Sequence, residues 1–172
     1  MYAILHNIRS LHNVGSMFRT ADAAGVAKIY LTGYTPSPVD AFGKVRSEIA
    51  KTALGAERTV PWEQKKNIGA LLFSLRWQGM YVVGLEQDAR AVDYRRVKPK
   101  KPWVLVVGNE VRGLSKSILQ KCDIVAEIPM RGKKESLNVS VAFGIALFSI
   151  KTILERSENV TNRASHTSVA KL

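Results

Sequence analysis

The stretch Trp103-Val104-Leu105-Val106-Val107-Gly108-Asn109-Glu110-Val111-Arg112-Gly113-Leu114-Ser115 decides the fold. Its apolar half, Trp103 to Val107, does not alternate with polar residues, so as a strand it leaves no face for water and belongs inside a sheet covered on both sides. Its second half is a polar loop bracketed by Gly108 and Gly113, and Ser115 opens a short helical segment reaching Cys122. Strand, glycine loop and helix in succession are the repeating unit of an α/β domain.

Outward from that unit the same alternation continues. Apolar runs at Tyr2 to Leu5, Lys28 to Leu31, Met80 to Leu85 and Ile124 to Ile128 read as further strands. Asn13 to Gly25 reads as a helix capped by Asn13 and closed by Gly25. Trp62 to Trp77 reads as a second, with Trp62, Leu71, Leu72 and Leu75 as core positions. A long last helix is expected from Leu137 to about Arg156, because Val139, Phe143, Leu147, Ile150 and Leu154 recur about a helical turn apart. Between the second strand and Pro61, a loop carrying Pro36, Pro38 and Gly43 leads into a short helix near Lys44 to Leu54. The expectation is a single α/β domain over residues 1–156, a mostly parallel sheet flanked by helices, followed by a mobile polar tail, 157–172, rich in Ser, Thr and Asn.

Composition narrows the partners. The chain has 172 residues, enough for one well-buried core, and 26 Lys+Arg against 14 Asp+Glu give a net charge of +12. Such a charge says nothing of fold but favours a polyanionic partner, nucleic acid before anionic membrane. Cys122 has no second cysteine to pair with, and His6, His12 and His166 do not cluster with it as zinc ligands, so no metal is expected. Met1-Tyr-Ala-Ile-Leu lacks the charged start of a secretory leader, and the apolar run Val139 to Ile150 is too short to span a bilayer. The default is a soluble cytoplasmic protein.

Three segments carry polar residues where an α/β sheet binds ligands. In Gly108 to Gly113 the phosphate-binding identities fail: Leu114-Ser115 stands where a P-loop needs Lys-Ser/Thr, and the chain contains no G-x-G. A tight strand-to-helix connection would explain the glycines alone. Glu110 is harder to explain by packing, and suits a ligand, a neighbouring Arg or plain solvation. Asn13-Val14-Gly15-Ser16-Met17-Phe18-Arg19-Thr20 gathers polar residues at the end of the first strand, with Gly15 allowing close approach. In Glu135-Ser136-Leu137-Asn138-Val139-Ser140-Val141-Ala142, Ser136 reads as the N-cap of the last helix. Capping leaves Asn138 and Ser140 unexplained on an otherwise apolar helix, where buried amides and hydroxyls need partners.

Together these segments resemble the SpoU, or TrmH-like, branch of the SPOUT methyltransferases. The resemblance rests on N-x-G-x-x-x-R-T at Asn13 to Thr20, V-V-G-N-E-x-x-G-L-S at Val106 to Ser115, and I-P-M followed by S-L-N-V-S-V-A from Ile128 to Ala142. It implies a trefoil knot near the carboxyl end, and methyl transfer from S-adenosylmethionine to a ribose 2′-hydroxyl in RNA. By motif, the cofactor would be held by Leu85, by Gly108, Asn109, Glu110 and Gly113, and by Ile128, Met130, Ser136, Leu137 and Asn138.

The resemblance makes Arg19 the catalytic residue, oriented with Asn13, Glu110, Ser136 and Asn138. A guanidinium with pKa above about 12 is a poor base. Arg19 is therefore expected to bind the substrate phosphate and hydroxyl, with a phosphate oxygen or a transiently neutral guanidine taking the proton. Glu110 is expected to hold Arg19 or Asn13 in place. Arg19, Lys44, Arg46, Lys133 and Lys134 are the candidate RNA contacts. A homodimer through the first and last helices is implied. Having no separate domain ahead of Tyr2, the chain is expected to act on tRNA rather than ribosomal RNA. A ribosomal RNA methyltransferase and a non-catalytic RNA-binding protein on the same fold are the alternatives.

Overall fold

The computed structural model describes the backbone of residues 1–169 and the side chains of residues 1–156. Seven strands form one sheet in the order β3-β2-β1-β6-β4-β7-β5, and every pairing is parallel. The strands are β1 (Tyr2–His6), β2 (Lys28–Thr32), β3 (Trp62–Lys65), β4 (Tyr81–Leu85), β5 (Val92–Asp93), β6 (Trp103–Val107) and β7 (Ile124–Glu127). The helices are α1 (Leu11–Ala23), α2 (Ser47–Ala53), α3 (Ala56–Thr59), α4 (Ile68–Trp77), α5 (Lys116–Leu119) and α6 (Val139–Val169).

β6, the apolar stretch that fixes the class, lies between β1 and β4 and is buried along its whole length. Its residues divide by parity, as a strand's must. Leu105 and Val107 join Ala3 and Leu5 in a core with Met17 and Phe18 of α1 and Phe143 and Leu147 of α6. Val104 and Val106 face the opposite way, with Ile4, into a core with Leu71, Leu72 and Leu75 of α4 and Ile118 of α5. Each face is thus closed by helices, which is why no polar residue interrupts the run.

Several element boundaries differ from the sequence reading. Trp62 to Trp77 is not one helix: Trp62 to Lys65 is an edge strand in register with Ile29 to Thr32, and α4 starts only after Asn67, whose side-chain oxygen accepts from the Ala70 amide at 3.0 Å. Trp62 is half-buried, whereas Leu71, Leu72 and Leu75 are core as expected. α1 starts earlier than expected, with Ser10 as its cap, accepting from the Asn13 amide at 3.3 Å; Gly25 follows its end at φ +69°.

Ser136 does not cap the last helix. Asn138 does, its side-chain oxygen accepting from the Ser140 amide at 2.9 Å and the Ser140 hydroxyl at 2.7 Å. Asn138 is exposed and Ser140 half-exposed, so neither is the buried polar group the apolar pattern suggested. α6 also runs past Arg156 to Val169, since neither Gly nor Pro interrupts the chain after Gly144; residues 170–172 lie outside the described residues. Among the described residues no helix is long and apolar enough to cross a membrane.

Candidate active site

The sheet grows outward from β1 to β3 on one side and from β4 to β5 on the other, with β6 between the halves. A cleft is expected outside the carboxyl ends of the strands where the direction reverses. Leu85 is level there with Val107 and Ala126, and Val107 with Leu5, so the loops leaving β4, β6 and β7 start side by side. They enclose a cleft of about 250 Å³. The β4 loop contributes Leu85, Glu86 and Gln87, and the β6 strand and loop contribute Val107, Gly108, Asn109, Glu110, Val111 and Gly113. Glu127, Ile128, Met130, Ser136 and Leu137 follow from the β7 segment, with Val139 and Ala142 from the start of α6.

The loops fasten one another. The Glu86 carboxylate accepts from the Leu114 amide at 2.7 Å, and the Gln87 side-chain amide donates to the Glu135 carbonyl at 2.8 Å. Gly113 sits at φ +60°, which favours glycine, and a Cβ there would come within 2.0 Å of a Glu86 oxygen, so any side chain would also displace the carboxylate that holds Leu114. Asn109 is buried and shapes its own loop: its Oδ1 accepts from the Val111 and Arg112 amides, while its Nδ2 donates to the Asn7 carbonyl and the Tyr34 hydroxyl, both at 2.9 Å.

One string of hydrogen bonds joins the three motif segments. The Glu110 carboxylate accepts from the Arg9 amide at 3.0 Å, the Ser10 amide at 3.0 Å and the Asn13 side-chain amide at 3.1 Å. It therefore sits against the amino end of α1, where unpaired amides and the helix dipole favour a negative charge. The Asn138 side-chain amide donates in turn to Asn13 Oδ1 at 3.2 Å. Burial raises the Glu110 pKa, but the Ser10 and Arg9 amides outweigh it with help from Asn13, leaving the carboxyl below its ordinary range. Of the two partners expected for Glu110, the structure provides Asn13.

Leu85, Gly108, Asn109, Glu110, Gly113, Ile128, Met130, Ser136 and Leu137 all line the cleft. Asn138 stands at its edge through Asn13 rather than in its wall. Arg19 is not brought to it: its side chain is exposed on α1 and makes no hydrogen bond or ion pair among the described residues. Lys133 and Lys134 are exposed on the β7 segment that forms one wall, and Lys44 and Arg46 lie before α2, away from it.

Sequence reasoning missed Glu86, Gln87 and Glu127, which belong to no recurring motif. Their signal was position: polar residues at or just after the carboxyl end of an apolar strand. Gly15 has a packing role, since a Cβ there would lie 2.4 Å from the Ile49 carbonyl, so α1 and α2 meet backbone to backbone.

Among the described residues, the lining holds three carboxylates, Glu86, Glu110 and Glu127, and not one Lys or Arg, in a chain of net charge +12. A cleft of that sign repels phosphates and accepts a cation. A parallel α/β sheet carrying such a cleft at its reversal point defines a domain for a small ligand that is neutral or positive. The chain belongs to the SpoU rRNA Methylase family, whose model matches residues 1–148.

The chain is similar to the 23S rRNA (guanosine-2′-O-)-methyltransferase RlmB of Pseudomonas aeruginosa, at 36% identity over 146 residues, 85% of this chain and 56% of that one. RlmB of Ralstonia nicotianae is 37% identical over 145 residues, 84% of this chain and 55% of its own. The chain thus spans about half the length of these curated relatives. Among solved structures, the A. aeolicus TrmH/SpoU tRNA modifying enzyme matches with TM-score 0.79 and 31% identity, over 91% of this chain and 76% of that one. An AdoMet-bound rRNA methyltransferase from Sinorhizobium meliloti matches with TM-score 0.77 and 34% identity, over 89% and 56%.

Proposed function

We propose that this chain is an RNA methyltransferase domain that transfers the methyl group of S-adenosylmethionine to a ribose 2′-hydroxyl. The observation that carries the reading is the contrast in charge: an acidic cleft suited to a sulfonium cation, set in a strongly basic chain suited to RNA. The residues fit the cofactor. Leu85, Ile128, Met130, Leu137, Val139 and Ala142 offer apolar walls for an adenosine; Glu127 supplies a carboxylate for a positive group, while Glu86 and Glu110 add negative charge as they hold the Leu114 amide and the start of α1. When bound, the cofactor supplies an electrophilic methyl group for in-line attack.

The residues of the chain orient and confine the reactants. Glu110 fixes the Asn13 amide, Asn13 fixes Asn138, and the pair presents aligned amide groups at the rim of the cleft for the substrate ribose. Arg19 binds the phosphate and 2′-hydroxyl of the substrate, and the hydroxyl proton passes to a phosphate oxygen or a transiently neutral guanidine. Because Arg19 does not line the cleft of its own chain, it acts in the cleft of a second copy. The exposed stripe Val141, Ile145 and Phe148 on α6 supports a homodimer. Thr20, the neighbour of Arg19 in the chain, meets α6 beside that stripe, its methyl lying 3.4 Å from a Cβ built on Gly144. The implied knot is supported by topology: β7 lies between β4 and β5, so the chain leaving β7 must pass the connection that joins them.

tRNA is the substrate we propose, supported by the likeness to the A. aeolicus TrmH/SpoU tRNA modifying enzyme; rRNA, the substrate in the names of the RlmB relatives, is the alternative. The test is to incubate the protein with methyl-labelled cofactor and unfractionated tRNA or rRNA, then digest with nuclease. Label is expected in nuclease-resistant dinucleotides from tRNA. Label in a base would overturn ribose methylation, and label confined to rRNA would overturn the choice of substrate.

A further inference from the structure

On the far side of the Asn109–Glu110 loop from the acidic cleft lies a second, wider one of about 700 Å³, between the end of β1, the segment after β2, and β3. Of its residues, only Arg46 is among the RNA contacts expected from sequence. Its polar lining is opposite in character: Arg9 and Arg46 stand in it, and Asp40 is its one carboxylate. That carboxylate is already engaged, accepting from the Phe42 and Lys44 amides at 2.9 Å. Neither arginine side chain has an acceptor among the described residues, and Arg46 Nε is buried without any partner. A buried guanidinium N–H needs an acceptor, which water or a ligand oxygen can supply, and the rest of the Arg46 guanidinium and all of Arg9 are left for an anion.

The cleft also holds an aromatic ring fixed from behind. Tyr34 is 57% exposed, yet its hydroxyl is bonded to the Asn109 amide at 2.9 Å and its backbone amide to Asn7 Oδ1 at 3.2 Å. Asn7 adopts φ +57°, unusual for a residue other than glycine, and its side-chain amide meets His6, which is buried against Thr32. A ring held rigid with its surface open offers stacking area at little entropic cost, as base-binding surfaces do. Asn109 lines the acidic cleft and is bonded to Tyr34, which lines the second, so a nucleotide on Tyr34 lies beside the ligand of the acidic one.

We propose that this second cleft binds one nucleotide of the RNA, its base stacked on Tyr34 and its phosphate held between Arg9 and Arg46, next to the ribose being methylated. The inference rests on the methyltransferase reading above, and its test separates the two.

Binding of labelled tRNA and rRNA fragments is measured by anisotropy across a salt series, cofactor affinity by calorimetry, and methylation in parallel. Arg46→Gln is expected to weaken RNA binding about tenfold at moderate salt and to lower the slope of log affinity against log salt by about 1. Arg46→Lys is expected to keep the slope. Tyr34→Ala is expected to weaken binding about tenfold with the slope unchanged, and Tyr34→Phe to retain affinity because the ring remains. Cofactor affinity stays within about twofold in every variant, which shows that the acidic cleft is folded. RNA binding by Arg46→Gln and Tyr34→Ala equal to wild type would overturn the nucleotide cleft while leaving methylation standing. RNA binding that responds as expected, without methyl transfer by the wild type, would overturn the catalytic reading and keep the cleft. No RNA binding by the wild type would overturn both.

Discussion

Glu110 illustrates how much a single side chain can be asked to do. Its carboxylate replaces water at the first amides of α1 and fixes Asn13, so Glu110→Gln is expected to destabilise the fold by about 1–2 kcal/mol in urea titrations. The pH dependence has a definite sign. Since folding lowers this pKa, the stabilisation is complete above the unfolded value near 4.3 and disappears as pH falls through the folded value. Wild type should therefore lose more stability than Glu110→Gln between about pH 5 and the acid limit, which parallel denaturation curves would show. Gly113→Ala puts a methyl into the Glu86 carboxylate at a left-handed backbone position, and should cost about 1–2 kcal/mol together with most cofactor affinity. At this scale the sequence was informative where chemistry was peculiar: a carboxylate on a glycine loop with an asparagine near the start of a helix. It was silent on Glu86, because a glutamate after a strand looks like any solvated charge until the neighbouring loop is known.

The elements were legible in proportion to their burial. β1, β2, β4, β6 and β7 announce themselves as apolar runs, because parallel strands covered on both faces have no use for polar residues. β3, Trp62-Glu63-Gln64-Lys65, is an edge strand with two exposed residues, and its single tryptophan merged with the helical period that follows Asn67. β5 is two residues long and pairs at the sheet edge with β7, so no periodicity could reveal it. Cap placement failed for a related reason: Ser136 and Asn138 are equally good caps on paper, and only the contact with Asn13 distinguishes them. Asn138→Ala should destabilise the protein by about 1 kcal/mol, whereas Ser136→Ala should leave thermal stability unchanged. The reverse result would restore the helix start expected from sequence.

For the whole molecule, the proposed dimer makes a demand that a monomer cannot meet. Arg19→Ala and Asn138→Ala each disable one half of a shared site, so each alone should be nearly inactive. Mixed and refolded in equal amounts, they should recover about a quarter of wild-type activity, because half of the dimers pair the two variants and each such dimer keeps one intact site. Ile145→Asp, on the exposed stripe, should shift the protein to monomers in sedimentation and abolish that recovery.

The position of β6 bears on how such a chain is made. β2 is available to β1 early in synthesis, but the other side of β1 belongs to β6, which is completed only at Val107. While the ribosome adds everything between, the nascent chain carries an apolar strand edge with no neighbour. An open edge of that kind recruits foreign strands. The strand that holds the two halves of the sheet together is thus also the one whose late arrival exposes the unfinished chain, and a translational pause just before Trp103 would lengthen that exposure more than a pause after Val107.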